Sequence, residues 1–521
     1  MDYGFMKAKR SVYNLLFNIL SLVITFALGI IIPKLFILNL GSEANGLISS
    51  VGQIFSYVGL LEAGIGATVV QALYKPISEN NKAKINQILT ASGRYYKKIG
   101  YIYIGCIVLI AIVYPLIVSV DLPRWQVVGV ICFSGLGNAI NFLLQQNYVA
   151  LLSAEGRGYV TTNLNLIVNV AVSLAKAFLL INNFNIVYVM GAQFFITLLR
   201  IVLMRIYIGK KYNWLNTKST PDFQALGKQK YVLIQQLSYF VYTNTDIVIL
   251  TFLGDLTLVS VYTLYNMIIG AVEGMVGAFT SSIVFALGQL YNEDFRKFKK
   301  VFLLFDSFYT TLVFSMFSVV YLCIIPFLSI YTRGITDVNY IDANLALLFV
   351  ILKMVTTLRS QSQNTINFAG HFRETQKSSI IEAAMNIVVS IVGVYFWGIY
   401  GVILGSIVSS FYKGIVITNY ANKNIIMLST REKVIRYARW CIYILMFGCI
   451  YVFSKKTISL LVETYYDWIK LAILCTLIVC IIYSMLWILI DIRTAKDTVD
   501  IIRNRIQTKK EKNKTKKNAC R

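Results

Sequence analysis

Long apolar runs recur from one end of this 521-residue chain to the other. A helix needs about 20 predominantly apolar residues to cross the hydrocarbon core of a bilayer. Hydrophobic residues make up 57% of the chain and charged residues only 14%, whereas a soluble domain is about 25% charged. The sequence therefore predicts an all-α polytopic membrane protein.

The apolar runs between polar breaks predict fourteen membrane-spanning helices. The first run extends from Ser11 to Leu38, which exceeds the roughly 7–15 residues of a signal-peptide core, so we expect it to remain as the first span. The spans are predicted near 11–35, 44–70, 97–118, 126–152, 161–182, 184–208, 229–253, 257–288, 300–328, 341–369, 376–397, 399–421, 434–454 and 467–490.

The net charge of +25 is unevenly distributed. One set of alternate connections, including the one that holds Lys423, Arg431 and Arg436, carries most lysines and arginines, and so does the tail 491–521. The opposite connections carry few. By the positive-inside rule both termini are cytoplasmic, and we expect the basic loops to contact anionic lipids. A nucleic-acid partner is not expected, because no binding module accompanies the tail.

A shift of 217 positions aligns two polar stripes, which suggests an internal duplication. The aligned residues are Thr162, Asn165, Asn169 and Ser173 with Ser379, Glu382, Asn386 and Ser390. We predict two six-helix lobes, 1–226 and 227–430, related by a pseudo-two-fold axis along the membrane normal. An extra helix pair, 431–490, and a basic cytoplasmic tail, 491–521, follow.

Polar residues at helical spacing mark the tenth and eleventh spans. Lys353, Thr356, Ser360 and Gln363 share one face of the tenth span. Charged side chains in hydrocarbon are costly, so they face a cavity or a partner. We therefore expect a wet, substrate-accessible space beside this stripe.

Deep cations predict a site for an anionic substrate. The candidates are Lys176, Lys353 and Arg359, with Arg200 nearer the cytoplasmic side. The predicted polar lining of the cavity consists of Asn138, Asn141, Gln145, Asn169, Gln363 and Asn386. The alternatives are that such residues join helices by hydrogen bonds of about 0.6–2 kcal/mol, and that cations near span ends snorkel to the interface.

Five acidic residues also fall within spans, namely Glu62, Asp246, Glu273, Asp306 and Glu382. Pairing with buried cations is one interpretation. The other is binding of a coupling proton or sodium ion, for which Asp246 and Glu273 are the candidates.

Signals for an enzyme, a cofactor or a resident metal are missing from the sequence. The eight cysteines form no CxxC pair, and His371 is the single histidine. Gly64-Ile65-Gly66 lies within a span and lacks the context of a phosphate-binding loop. We therefore expect a protein that is neither an enzyme nor a metalloprotein.

Three segments resemble a known family. The run from Pro33 to Gln71 is similar to the first helical hairpin of polysaccharide-exporting flippases, and Thr245 to Ile268 and Asn367 to Ser410 resemble later helices of that family. These are the repeat-unit flippases of O-antigen and capsule assembly, within the multidrug/oligosaccharidyl-lipid/polysaccharide exporter superfamily. The resemblance covers the chain through the fourteenth span.

The resemblance implies movement of a polyprenyl-pyrophosphate-linked oligosaccharide across the bacterial cytoplasmic membrane by alternating access. A polysaccharide polymerase and glycosyltransferases are the implied partners. Three alternatives stay open: a cation-coupled multidrug exporter of the same fold, a flippase for the peptidoglycan lipid precursor, and a non-transporting membrane scaffold.

Overall fold

The computed structural model describes residues 2–62, 65–216, 219–223, 230–457 and 462–490, and the regular structure within them is entirely helical. The all-α prediction is confirmed. The predicted tail, 491–521, lies outside the described residues.

Fifteen α-helices are described in these ranges. A 3₁₀ turn, Leu60–Glu62, follows the first helix, and a π-helical turn, Ala421–Ile425, follows the thirteenth. The helices are α1 Asp2–Gly59, α2 Ile65–Ser78, α3 Lys82–Ile117, α4 Arg124–Leu144, α5 Gln146–Ala154, α6 Gly158–Ile181, α7 Ile186–Lys211, α8 Lys230–Leu253, α9 Leu256–Glu293, α10 Phe295–Tyr331, α11 Ala343–Ala369, α12 Phe372–Trp397, α13 Ile399–Tyr420, α14 Thr430–Thr457 and α15 Tyr465–Ile490.

Polar caps set several of the helix ends. The side chain of Asn185 accepts hydrogen bonds from the first amides of α7, and Asp342 does the same for α11. These bonds satisfy backbone donors that have no partner within the helix. Gly370 ends α11 in the left-handed conformation, which glycine adopts at little cost.

Gly41 divides α1 into two segments. Its φ of 85° and ψ of 165° lie outside the helical region, where a residue with a Cβ would be strained. The second segment restarts at Ser42, whose backbone N–H and hydroxyl donate to the Asp337 carboxylate at 2.6 and 3.0 Å. A carboxylate at a helix N-terminus is stabilising, so Asp337 caps the restarted helix.

Twelve helices of the described ranges are long and apolar enough to cross a membrane. α1 is one of the twelve, although Gly41 divides it. The apolar part of α8, Leu237–Leu253, is shorter. Counting α1 as two segments and adding α8 accounts for the fourteen predicted spans. The chain is a multi-pass membrane protein.

Some helices extend well beyond the spans predicted from the sequence. α3 begins at Lys82 and has 36 residues, whereas its span was placed at 97–118. A helix of that length is about 54 Å long, and the hydrocarbon core is about 30 Å thick. Hydropathy detects only the apolar part of such a helix.

The chain divides into two compact units. Unit 1 contains the described residues up to 268 together with 334–339 and 379–406, and unit 2 contains those of 269–333, 340–378 and 407 onward. In unit 1, α3 packs on α4 and α6 packs on α1 and α7, whereas in unit 2 α10 packs on α11, α14 and α15. The predicted lobes, 1–226 and 227–430, and their pseudo-two-fold axis stay a prediction.

Candidate transport site

A cavity of about 390 Å³ lies within unit 2, between α9, α10 and α11. Side-chain hydroxyls, one amide and one carboxylate provide most of its polar groups. The lining residues are Glu273, Gly277, Thr280, Val284, Tyr309, Thr357, Ser360 and Asn364.

Hydrogen bonds fix the wall that α10 and α11 form. The hydroxyl of Tyr309 donates to the carbonyl oxygen of Thr357 at 2.6 Å and lies 2.8 Å from the hydroxyl of Ser360. Ser360 in turn donates to the same carbonyl at 2.7 Å. Thr357, Ser360 and Asn364 follow one another at helical spacing, so the polar stripe of α11 supplies one side of the cavity.

Lys353 and Glu273 form an ion pair at the edge of this cavity. The lysine Nζ lies 3.2 Å from Glu273 Oε2, and the hydroxyl of Thr356 donates to Oε1 at 3.2 Å. A predicted substrate-binding cation and a predicted coupling carboxylate are therefore partners of each other. The pairing removes the net positive charge that Lys353 alone would give this part of the cavity.

Arg359 is not among the lining residues of the cavity. It is buried, and its Cβ lies 3.7 Å from where a Cβ on Gly414 of α13 would be. Gln363 donates to Asn367 Oδ1 at 3.0 Å on the same helix. The structure thus brings only Lys353, among the predicted cations, to the edge of this cavity.

Lys176 and Arg200 belong to unit 1. The Nζ of Lys176 lies 5.5 Å from the ring centroid of Phe36 on α1, a cation–π contact. Arg200 on α7 donates to Asn165 Oδ1 on α6 at 2.9 Å. Asn169, one turn further along α6, is exposed.

The predicted polar residues of the fourth span have different surroundings. Asn138 is exposed and donates to the Tyr103 hydroxyl at 3.2 Å. Asn141 Oδ1 is buried and has no hydrogen-bond partner among the described residues. Gln145 lies between α4 and α5 and is 3% exposed.

Asp246 on α8 is the centre of a buried polar cluster in unit 1. Its carboxylate accepts hydrogen bonds from the Ser406 hydroxyl at 2.8 and 2.7 Å and from the Tyr262 hydroxyl at 2.8 Å. The amide of Asn386 lies 3.4 Å from Oδ1 and donates to Ser406 at 2.7 Å. A predicted coupling residue and a predicted lining residue therefore meet within one cluster.

Two members of this cluster were missed by sequence reasoning. Ser406 and Tyr262 are ordinary polar residues of their spans, and neither belongs to a stripe that the sequence singled out. The only available signal was that each interrupts an apolar run. Asn386 also offers an oxygen, because its buried Oδ1 has no hydrogen-bond partner among the described residues.

A buried cluster of one carboxylate and two guanidinium groups lies in unit 2, around Asp306 on α10. Arg436 Nη2 lies 2.7 Å from Oδ1, and Arg439 Nη2 contacts Oδ2. The sequence grouped Arg436 with a basic connection, and in the structure the residue is 2% exposed within α14. This turn of α14 packs against α10, where its arginines meet a carboxylate.

Comparison with known proteins gives matches at the level of structure. No family profile matches the sequence, and no curated protein matches it in a sequence search. A structure described as the lipid II flippase MurJ in an inward closed conformation aligns with a TM-score of 0.66 and 14% identity, over 92% of this chain and 100% of that one. A multidrug resistance MATE family transporter of the MOP superfamily, inward-facing, aligns at 0.59 and 16% identity, over 77% and 94%.

A MATE structure in a bent conformation gives a TM-score of 0.51 at 15% identity, over 83% of this chain and 98% of that chain. The chain has the MATE–MurJ fold. At these identities the likeness extends to the fold, and the residues of the site have to carry any statement about substrate. The resemblance to the exporter superfamily seen in the sequence agrees with this fold.

Proposed function

We propose that this protein is a flippase that moves a polyprenyl-pyrophosphate-linked oligosaccharide across the cytoplasmic membrane by alternating access, for surface polysaccharide assembly. The observation that carries the proposal is the hydroxyl-rich cavity of α9–α11 within a membrane-helix bundle. Sugars and pyrophosphate cannot cross hydrocarbon unaided, because removing their hydration is too costly. A polar cavity replaces that hydration.

The lining of the cavity suits a neutral sugar. Thr280, Tyr309, Thr357 and Ser360 offer hydroxyls, which both donate and accept hydrogen bonds, and Asn364 adds an amide. A sugar ring presents the same mixture of donors and acceptors. The volume of about 390 Å³ accommodates a small part of an oligosaccharide at a time.

Lys353 supplies the cationic side of this proposal. A pyrophosphate is a stronger anionic partner for an ammonium group than a single carboxylate, because it carries more charge and more acceptor oxygens. The head group would therefore compete with Glu273 for Lys353. Lys176, Arg200 and Arg359 remain proposed contributors to substrate binding.

Asp246 is the proposed coupling residue. Its carboxylate accepts hydrogen bonds from three neutral groups, Ser406, Tyr262 and Asn386. Binding of a proton or a sodium ion there would neutralise a charge inside the bundle, which couples the ion to the conformational equilibrium. Glu273 is the second candidate, and it is paired with Lys353.

The direct test is genetic. Deleting the gene is expected to remove surface polysaccharide and to accumulate the lipid-linked repeat unit, and the wild-type gene should restore both. Complementation with Lys353→Met should be poor and with Lys353→Arg better, because the guanidinium keeps the charge. Unchanged surface polysaccharide in the deletion strain would contradict the proposal.

The coupling proposal is tested in vesicles that contain the purified protein. Imposed proton and sodium gradients are expected to accelerate transbilayer movement of a lipid-linked oligosaccharide by the wild type. Asp246→Asn should abolish the acceleration while substrate binding stays within about two-fold. A gradient response that survives Asp246→Asn would exclude this carboxylate as the coupling group.

A cation-coupled multidrug exporter is the second candidate. The pairing of Lys353 with Glu273 favours it, since it leaves the cavity without net positive charge, and the fold is shared with a multidrug resistance transporter. Expression in a dye-sensitive strain separates the candidates, because only an exporter would lower dye accumulation. A lipid-precursor flippase predicts a defect in cell-wall synthesis instead.

The remaining expectations concern the setting of the protein. We propose that it lies in a bacterial cytoplasmic membrane with both termini cytoplasmic, and that it works beside a polysaccharide polymerase and glycosyltransferases. Genes for glycosyltransferases next to this one would support the assignment of the substrate.

A further inference from the structure

Two helices of unit 1 are interrupted at neighbouring places. α1 ends at Gly59 and is followed by the turn Leu60–Glu62, and Gln145 (φ −124°, ψ −31°) separates α4 from α5. Glu62 is the last described residue before α2, and Gln146 begins the helix after the second interruption. Interrupted membrane helices are tolerated where they are buried in protein or line a cavity.

Side chains from these two interruptions meet. The amide Nε2 of Gln146 donates a hydrogen bond to Glu62 Oε1. Gly66, the second residue of α2, leaves room for this arrangement, since a Cβ there would lie 3.2 Å from Glu62 Oε1 and 3.8 Å from the Tyr96 hydroxyl. The second glycine of Gly64-Ile65-Gly66 thus lies beside a carboxylate.

A buried hydroxyl beside Glu62 has no hydrogen-bond partner in the described part of the chain. Tyr96 on α3 is 1% exposed, and its hydroxyl has no partner among the described residues. Such a group costs stability when left unpaired, and a hydrogen bond from a protonated Glu62 would satisfy it.

No ion pair within the described ranges includes Glu62. The cations of α2 and of the α3 turns around Tyr96 are exposed, and the other titratable groups there and on the adjoining turns of α1 and α5 are tyrosines. These groups are Tyr57 on α1, Tyr74 and Lys75 on α2, Arg94, Tyr95, Tyr96, Lys97 and Lys98 on α3, and Tyr148 on α5.

We propose that Glu62 is a second ion site of this protein, a carboxyl group that takes up and releases a proton where the two interrupted helices meet. The O–H of the protonated carboxyl can donate a hydrogen bond to the neighbouring Tyr96 oxygen. After the proton leaves, Gln146 donates a hydrogen bond to the carboxylate. Proton binding there neutralises a charge inside unit 1. The site is distinct from the Asp246 cluster and independent of the substrate carried.

The test is infrared spectroscopy of the purified full-length protein in lipid as the pH is varied, which reads the carbonyl band of a protonated carboxylic acid without any transport step. The wild type should show such a band that disappears as the pH rises, and Glu62→Gln should lack that component. Asp246→Asn is the matched control and should keep it. Persistence of the component in Glu62→Gln, or its absence from the wild type, would overturn the proposal.

Gln146→Leu keeps the carboxyl and removes its donor. Hydrogen bonds favour the ionised form, so the midpoint of the band should move to higher pH by about one unit, given that a bond to a charged group contributes about 1.5 kcal/mol or more. An unmoved midpoint would contradict the role of Gln146.

Adding sodium chloride at constant pH separates a proton site from a sodium site. If the salt removes the wild-type band, and this effect requires Glu62, the site binds sodium and the proton assignment is overturned. Since transport is not measured, failure here leaves the flippase proposal untouched.

Discussion

Asp246 and Asp306 are both buried carboxylates, 4% and 1% exposed, with contrasting surroundings. Asp306 contacts two buried guanidinium groups, Arg436 and Arg439. Three neutral side chains donate hydrogen bonds to Asp246. In the sequence both are acids within apolar runs, and only Asp246 of the two was predicted to bind a coupling ion.

The partners described for the two carboxylates differ in charge. The Asp306 carboxylate balances two buried arginines, and its loss would leave two buried cations without an anion. Hydroxyl donors such as those beside Asp246 can also accept hydrogen bonds, so they can serve either protonation state or face a bound cation. Burial alone therefore does not identify a coupling residue.

The largest expected effect comes from Asp306→Asn. Removing the carboxylate leaves two buried guanidinium groups uncompensated, and the free energy of unfolding should fall by about 3–5 kcal/mol. Denaturant unfolding in lipid micelles measures it. The matched variant, Asp246→Asn, should lose only about 1 kcal/mol, because an amide can keep part of the hydrogen bonding. Equal losses in the two variants would remove the distinction.

A second substitution tests whether Asp306 and its arginines act as one network. Arg439→Gln in the Asp306→Asn background removes one of the uncompensated charges and should recover part of the lost stability. Residues that share one network give non-additive effects. Simple additivity of the two single variants would show that Arg439 acts independently of Asp306.

A smaller effect is expected at Ser406, whose hydroxyl contacts both oxygens of Asp246. Ser406→Ala removes one hydroxyl donor that favours the ionised carboxylate. The proton then binds more readily, so the pH of half-maximal transport should move upward by about one unit. Ser406→Thr keeps the hydroxyl and should restore the wild-type profile; a profile unmoved by alanine would exclude Asp246 from proton coupling.

The smallest effect is expected at the partly exposed pair of Lys353 and Glu273. A double-mutant cycle with Lys353→Met and Glu273→Gln should give a coupling energy of about 0.5–1 kcal/mol in unfolding free energy. If the pair is exchanged by an anionic head group, Glu273→Gln should tighten substrate binding while Lys353→Met weakens it. Parallel weakening by both variants would argue against that exchange.

Much of the fold was predictable because its signal is local. A run such as Ser11 to Leu38 must be helical in a bilayer, since only helices and closed barrels satisfy their own backbone hydrogen bonds there. The end of a run is less informative, as Lys82 and Arg436 show: both lie in helices that extend past the apolar segment. Helix continuation depends on backbone bonding and packing, which hydropathy does not measure.

The candidate sites were predictable only as residue types. Asp246, Glu273, Lys353 and Asn386 were singled out because a polar group in an apolar run needs a partner. Which partner each one takes could not be read from spacing along one helix. Glu62 was recognised only as an acid within a span.

The sequence by itself determined that this chain is a bundle of membrane helices with ionisable groups inside. Tertiary structure decided which of those groups meet: Ser406 with Asp246, 160 positions apart, and Glu62 with Gln146, 84 positions apart. The physical reason is the range of each signal. Hydrophobicity acts on consecutive residues, whereas ion pairs and hydrogen bonds depend on how separate helices pack, and the spacing of polar residues along one helix does not identify their partners on another.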